Sequence, residues 1–280
     1  MLNQLKTIVF LGILTGLLMS IGGFFGGFYG IIMGLGLAAA MNMVAYFFSD
    51  KIVLRIYKAK PADELHYKFL HDIIADLAKK ANIPKPKIYI IPSESANAFA
   101  TGRSPEHAAV ACTEGILKLM TKEELKGVLA HEISHVTNRD ILIMSIVATV
   151  AGAISMVAYT ARFAAMFGGS RDDNGNGLHL LIMAILAPFI AMMIQLAISR
   201  SREYQADASG AKLLGDGKAL ASALRKLEAH SKKNFIPFAT ESTAHLFISN
   251  PLKPNFLISL FQTHPPMASR IKKLESMDLE

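Results

Sequence analysis

Residues 122–140 read KEELKGVLAHEISHVTNRD, and how the rest of the chain is read depends on the five letters HEISH at 131–135. Thr121 and Glu124 stand at the Thr-x-x-Glu spacing of a capping box, so a helix starts here with Thr121 as its N-cap. Leu125, Val128, Leu129 and Ile133 follow at helical intervals. Four residues is close to one turn, so His131 and His135 project from the same face. Two imidazoles so placed can hold one zinc ion at about 2.0–2.1 Å per bond. Glu132 then points near the metal without joining its ligands, where it can take a proton from an attacking water. A surface helix carrying two solvated histidines would show the same letters, so the zinc reading requires a third ligand elsewhere.

The surrounding composition is that of a membrane protein. Of 280 residues, 52% are hydrophobic and only 18% are charged, too apolar a balance for an ordinary soluble domain. The single cysteine, Cys112, excludes an internal disulfide and fits a reducing compartment. A net charge of +7 raises nucleic acid as a partner, but the basic residues form no stripe interleaved with aromatics, so no nucleic acid is expected.

No charged side chain occurs between Lys6 and Asp50, a length that accommodates two membrane helices around the turn GGFFGGFYG at 22–30. The run is too long for a signal peptide and shows no cleavage pattern. Further uncharged runs cover 141–161 and 180–199, the second containing Pro188, with the polar turn GGSRDDNGNG at 168–177 between them. Four spans are therefore expected, in two hairpins. The order is a hairpin over 1–50, a polar segment over 51–140, a second hairpin over 141–199 and a second polar segment over 200–280. Of the 29 lysines and arginines, 26 fall in the polar segments from 49 to 140 and 200 to 280, which places both segments and both termini in the cytoplasm. By this rule Arg200 and Arg202 are juxtamembrane charges. The stretch 231–255 contains three prolines and broken periodicity, and reads as a long loop.

Topology then suggests the third ligand. HVTNRDILIM shows no helix stop, so the HEISH helix is expected to run straight into the third span. The chain re-emerges from the fourth span reading SRSREYQADASGAKLL. His135 lies six residues before Ile141 and Glu203 four after Ser199, so their heights differ by about 3 Å at 1.5 Å per residue. A hairpin therefore brings Glu203 level with the histidines, and two histidines plus a glutamate make an open zinc site. Asp207, one turn later, can accept the remaining N–H of a ligating histidine.

LAHEISHVTNRD, SRSREYQADASGAKLL and THPPMASRIKKLE together resemble the membrane zinc proteases of the HtpX type, relatives of the CaaX prenyl-protein protease, over essentially the whole chain. The resemblance implies a mainly α membrane protein, four transmembrane helices with a cytoplasmic α+β zincin-like domain whose third ligand is a glutamate. It implies one zinc per chain on His131, His135 and Glu203, with Glu132 as base. The expected activity is endoproteolysis of unfolded or misfolded membrane proteins in the bacterial inner membrane, as part of stress response and quality control. Residues 88–91, 97–101 and 107–112 read as strands. In the proteins it resembles, an edge strand beside the zinc pairs with the substrate, and Asn97 and Ala98 look like the contacting pair.

His264, stiffened by the two prolines after it, could donate to the oxyanion, and Arg270 could orient it or an active-site carboxylate. His66, His71, His107, His179 and His230 lack partners at ligand spacing, as does His245, which sits in the 231–255 loop. Two other readings stay open: a prenyl-protein-type protease, and a non-catalytic scaffold with a structural zinc. A transporter is disfavoured by the lack of ionisable residues in the spans.

Overall fold

The computed structural model describes residues 53–167, 176–231 and 265–277, together with short runs and single positions before residue 52. The expected first hairpin, the turn at 168–175 and the segment 232–264 fall wholly or largely outside the described residues. The chain divides into two compact units: 1–46 with 143–201, and 47–142 with 202–280.

The second unit holds a small sheet and the helices around it. Its strands are β1 (Lys60–Pro61), β2 (Lys87–Ile91), β3 (Ala98–Thr101) and β4 (Ala109–Thr113), in spatial order β1-β2-β4-β3. β2 and β4 run parallel, with Ile88 opposite Val110; β1 and β3 are antiparallel edges. Every residue of β4 is buried, as suits a central strand. The third expected strand begins later than residue 107, because Pro105 starts a short 3₁₀ turn through His107.

Helix α1 (Lys68–Lys80) buries Leu70, Ile73, Ile74 and Leu77, spaced three and four apart, into the core. After the short α2 (Glu114–Leu119), α3 (Lys122–Thr137) carries the histidine motif. Its capping box is formed in full, with Glu124 N–H donating to Thr121 Oγ1 and Thr121 N–H to Glu124 Oε2. α6 (Lys218–Ser231) packs on α3, and α7 (Met267–Glu275) packs on α6.

Two helices are long and apolar enough to cross a membrane among the described residues: α4 (Asp140–Phe167) and α5 (Asn176–Leu214). α5 runs unbroken from its apolar part into SRSREYQAD. α3 and α4, however, are separate helices, contrary to the expected continuity. Asn138 caps α3, its N–H turned back on Ser134 O and that of Arg139 on Val136 O, and Arg139 adopts φ +53°. A left-handed residue cannot continue a right-handed helix, so the chain changes direction between His135 and the apolar run.

Within the first unit, one contact explains how α5 carries a proline. Pro188 has no N–H to donate to Ala184 O, four residues earlier. Arg162 of α4 supplies the missing donors: its Nε and Nη2 lie 3.1 and 2.9 Å from Ala184 O. A carbonyl left bare in an apolar setting is costly, so the guanidinium restores what the proline removes. Replacing Arg162 by Met should lower the melting temperature in detergent, with a loss of about 1.5–3 kcal/mol for a charge-assisted bond. In a Pro188→Ala background, residue 188 regains its N–H and the same Arg162→Met change should cost markedly less. Equal costs in the two backgrounds would show that Arg162 does not serve this carbonyl.

Candidate metal centre

The motif helix and the membrane-exit helix meet at a glycine. A Cβ at Gly210 of α5 would stand 3.0 Å from His131 N and 3.1 Å from Ala130 C, tighter than most side-chain contacts, so the two backbones pack closely here. Glu203, Asp207 and Gly210 are spaced four and three apart and share one face of α5. The glycine contact therefore sets both carboxylates against the histidine face of α3.

The result is one cluster. His131, His135 and Glu203 each offer a ligand atom, all within 4.8 Å of one another, the geometry of a group able to hold a metal ion. The two Nε2 atoms lie 3.1 Å apart, with Glu203 Oε1 3.4 Å from His135 Nε2 and Oε2 3.8 Å from His131 Nε2. Each Nδ1 faces another carboxylate instead. His131 Nδ1 is 3.0 Å from Asp207 Oδ1, and His135 Nδ1 is 2.6 Å from Asp140 Oδ2. A carboxylate at Nδ1 favours the proton there and leaves Nε2 as the electron-pair donor.

Charge balance fits a divalent cation. Glu132, Glu203, Asp140 and Asp207 are all buried, as are Arg202 and Arg270. Four carboxylates against two guanidiniums leave two negative charges where burial penalises any excess. Among the described residues, only three ligating groups converge, so a metal here would retain an open position.

Arg270, fully buried on α7, grips Asp207 with two bonds, Nε to Oδ2 at 2.8 Å and Nη2 to Oδ1 at 2.7 Å, while Nη1 lies 3.2 Å from Glu203 Oε2. It thus holds two of the clustered carboxylates, while His264, the other group it could orient, lies outside the described residues. Burial would raise the Asp207 carboxyl, but Arg270 and His131 hold it down at about 2.

The base candidate is held from the sheet. Ala100 N–H donates to Glu132 Oε2 at 2.9 Å. Thr113 N–H donates to Asn97 O, so 97 is a hydrogen-bonded position of the β3–β4 ladder, and by alternation Ala98 and Ala100 turn their main-chain groups to the open edge. Ala98 thus turns its backbone away from β4, although the residue is only 1% exposed. The backbone of Asn97 is engaged on the inner side, its N–H with Thr113 Oγ1 at 2.9 Å, so any contact of Asn97 with a substrate would have to come from its side chain.

Sequence reasoning missed two residues here. Arg202 is not a solvated juxtamembrane charge: it is 3% exposed and its Nε donates to Asp140 Oδ1 at 2.5 Å. Asp140 was passed over as a residue of the stretch entering the span. An acidic residue immediately ahead of an apolar run was the available signal. His71 and His107 make local contacts, with Ala62 O and with Ser104 and Arg103 respectively. His245 lies outside the described residues, as does nearly all of the 231–255 loop.

Burial by itself lowers the pKa of His135, yet the Asp140 and Glu203 carboxylates outweigh it and raise it well above the ordinary value. A proton on His135 thus stabilises the metal-free fold fully below the unfolded pKa of about 6.5, and that contribution fades as pH rises through the folded value. A metal competes with this proton, so its binding strengthens over the same range. Chelated protein should therefore melt lower as pH rises above about 6.5, while metal-loaded protein should not follow it. Parallel pH profiles for the two forms would rule out the competition. Gly210→Val should push α5 off α3 and weaken metal binding by an order of magnitude, about 10-fold or more in a chelator competition.

Comparison with known proteins places the chain in a family. The description "Peptidase family M48" matches residues 64–278. Proteins named Protease HtpX homolog are similar over nearly their full length. That of Syntrophotalea carbinolica is 51% identical, covering 99% of each chain. That of Persephonella marina is 50% identical, covering 99% of this chain and 98% of its own. The crystal structure of S. mikatae Ste24p shares the fold at a TM-score of 0.58 and 20% identity, over 94% of this chain and 62% of that one. With the motif helix and all the cluster residues inside the matched region, the chain is a metalloprotease and belongs to Peptidase family M48.

Proposed function

We propose that this chain is a zinc endopeptidase of the HtpX type, working at the cytoplasmic face of the inner membrane on unfolded or misfolded membrane proteins. The observation that carries this reading is the pairing of an open three-donor cluster with a carboxylate, Glu132, held beside it by the edge strand. His131, His135 and Glu203 would hold one zinc ion, which when bound supplies a Lewis acid to polarise a water and the scissile carbonyl. Glu132 takes the proton from the attacking water and returns it to the leaving amine. Asp207, itself gripped by Arg270, keeps the His131 proton on Nδ1. His264 is a further candidate donor to the developing oxyanion.

A substrate in extended form would add to the open edge of β3 through the outward main-chain groups of Ala98, with Asn97 contributing its side chain. Backbone pairing asks little of side-chain sequence, which suits a protease that clears damaged proteins. In this reading four spans hold the enzyme in the membrane with both termini cytoplasmic, supported by the lysine and arginine bias and by α4 and α5. Glu203 lies four residues beyond the apolar run on the same helix, about 6 Å along its axis. That proximity favours substrates already in or on the bilayer.

Detergent-purified wild type and Glu132→Gln should bind equal zinc, with casein cleavage only in the wild type. Equal cleavage by both would make the metal structural and end the protease assignment of Glu132. In vesicles, a membrane-tethered peptide should be cut faster than its soluble counterpart; equal rates would remove the membrane-substrate reading.

A further inference from the structure

The turn that breaks α3 from α4 has a chemical consequence. On a continuous helix, Asp140 would sit five residues past His135, about 140° around the axis and about 7.5 Å along it, out of reach of the ring. The left-handed Arg139 swings it back, and Asp140 Oδ2 comes to 2.6 Å from His135 Nδ1. Asp140 is 5% exposed, so its charge needs a buried partner. Arg202 is that partner, with Nε on Asp140 Oδ1 at 2.5 Å and Nη2 also paired with this oxygen. The same guanidinium donates from Nη2 to Asn138 O at 3.1 Å and from Nη1 to Gln205 Oε1 at 2.8 Å. Gln205 Nε2 is in turn 3.4 Å from Asn138 Oδ1. Arg202 therefore grips both the carboxylate and the turn that delivers it, and it adjoins the ligand Glu203 in sequence.

We propose that Asp140 and Arg202 are positioning residues of the metal centre: Arg202 fixes Asp140, and Asp140 fixes the ring plane and tautomer of His135 so that Nε2 faces the metal. Each ligating imidazole then has its own arginine-held aspartate, Asp207 with Arg270 behind His131 and Asp140 with Arg202 behind His135. The two arrangements differ in origin. The first is assembled from α5 and α7; the second ties the first residue of one apolar helix to the stretch where the other leaves its apolar run. Lysine at 202 could not serve, because a single ammonium lacks the fork that reaches Asp140, Asn138 O and Gln205 together.

The inference rests on the zinc reading above, and its test separates the two. D140N/R202Q keeps the shape of the network without leaving a lone buried charge, and R202K keeps the charge without the fork. Zinc affinity is measured by competition with a chromophoric chelator, and the metal environment by the visible spectrum of the cobalt-substituted protein. D140N/R202Q should bind zinc about 10–100-fold more weakly, with a shifted cobalt spectrum. Asp140 and Arg202 also support the metal-free fold, so its metal-free melting temperature should fall, and affinity and spectrum are read well below that temperature. R202K should be intermediate in affinity. Wild-type affinity and an unchanged cobalt spectrum in both variants would overturn the positioning role while leaving the zinc site intact. Failure of the wild type itself to bind one zinc would overturn the zinc reading and this inference together. If D140N/R202Q does not fold, R202K decides: affinity and spectrum equal to wild type refute the proposal.

Discussion

Backbone contact between α3 and α5 at Gly210 is the constraint on which the site depends. A Cβ at Gly210 would stand 3.0–3.1 Å from the main chain of Ala130 and His131, so a larger residue would force the two helices to give way. Because helical side chains three and four apart share a face, that contact also aims Glu203 and Asp207. A ligand on one helix, its supporting carboxylate and the point of closest approach thus follow from one stripe of α5. Precision of this kind suits a metal centre, where bond lengths tolerate displacements of only a few tenths of an ångström.

Burial then imposes its own logic on the charges. Six ionised groups lie around the two histidines, each nearly inaccessible to water. Such groups persist only when paired and hydrogen-bonded, and the structure pairs them in order: Arg270 with Asp207 and Glu203, Arg202 with Asp140. The surplus is negative and sits where the imidazole electron pairs converge. Elsewhere, burial without a partner shows the opposite effect. The Cys112 thiol is pushed up to about 12 by its apolar surroundings and the nearby Glu132, so it stays protonated and inert.

In the proposed function, the sheet would tie substrate recognition to the chemistry. β3 is an edge because β4 takes the centre, and its outward N–H at Ala100 meets Glu132. The strand that would receive a peptide is therefore the strand that holds the base. An extended segment added there would arrive beside the carboxylate that moves the proton, with no further element needed to bring the two together.

Much of this was legible in the letters. The capping box, the i, i+4 histidines, the apolar runs and the helical stripe from Glu203 to Asp207 are all local or periodic, and periodic signals survive folding because backbone geometry enforces them. What the sequence could not show was the break at Asn138–Arg139. Neither residue is a glycine or proline, and the left-handed conformation of Arg139 is held by tertiary bonds, chiefly that from Arg202 to Asn138 O. Reading through that break hid the meeting of Asp140 with His135 and left Arg202 as a membrane-side charge. The clasp of Arg162 on Ala184 O was hidden in the same way, since it joins residues on two different helices. The sequence by itself determined which residue types stand at which helical positions, and so the candidate metal-ligand set. Only the tertiary structure decided which buried charges meet, because that choice depends on desolvation and pairing across elements far apart in the chain.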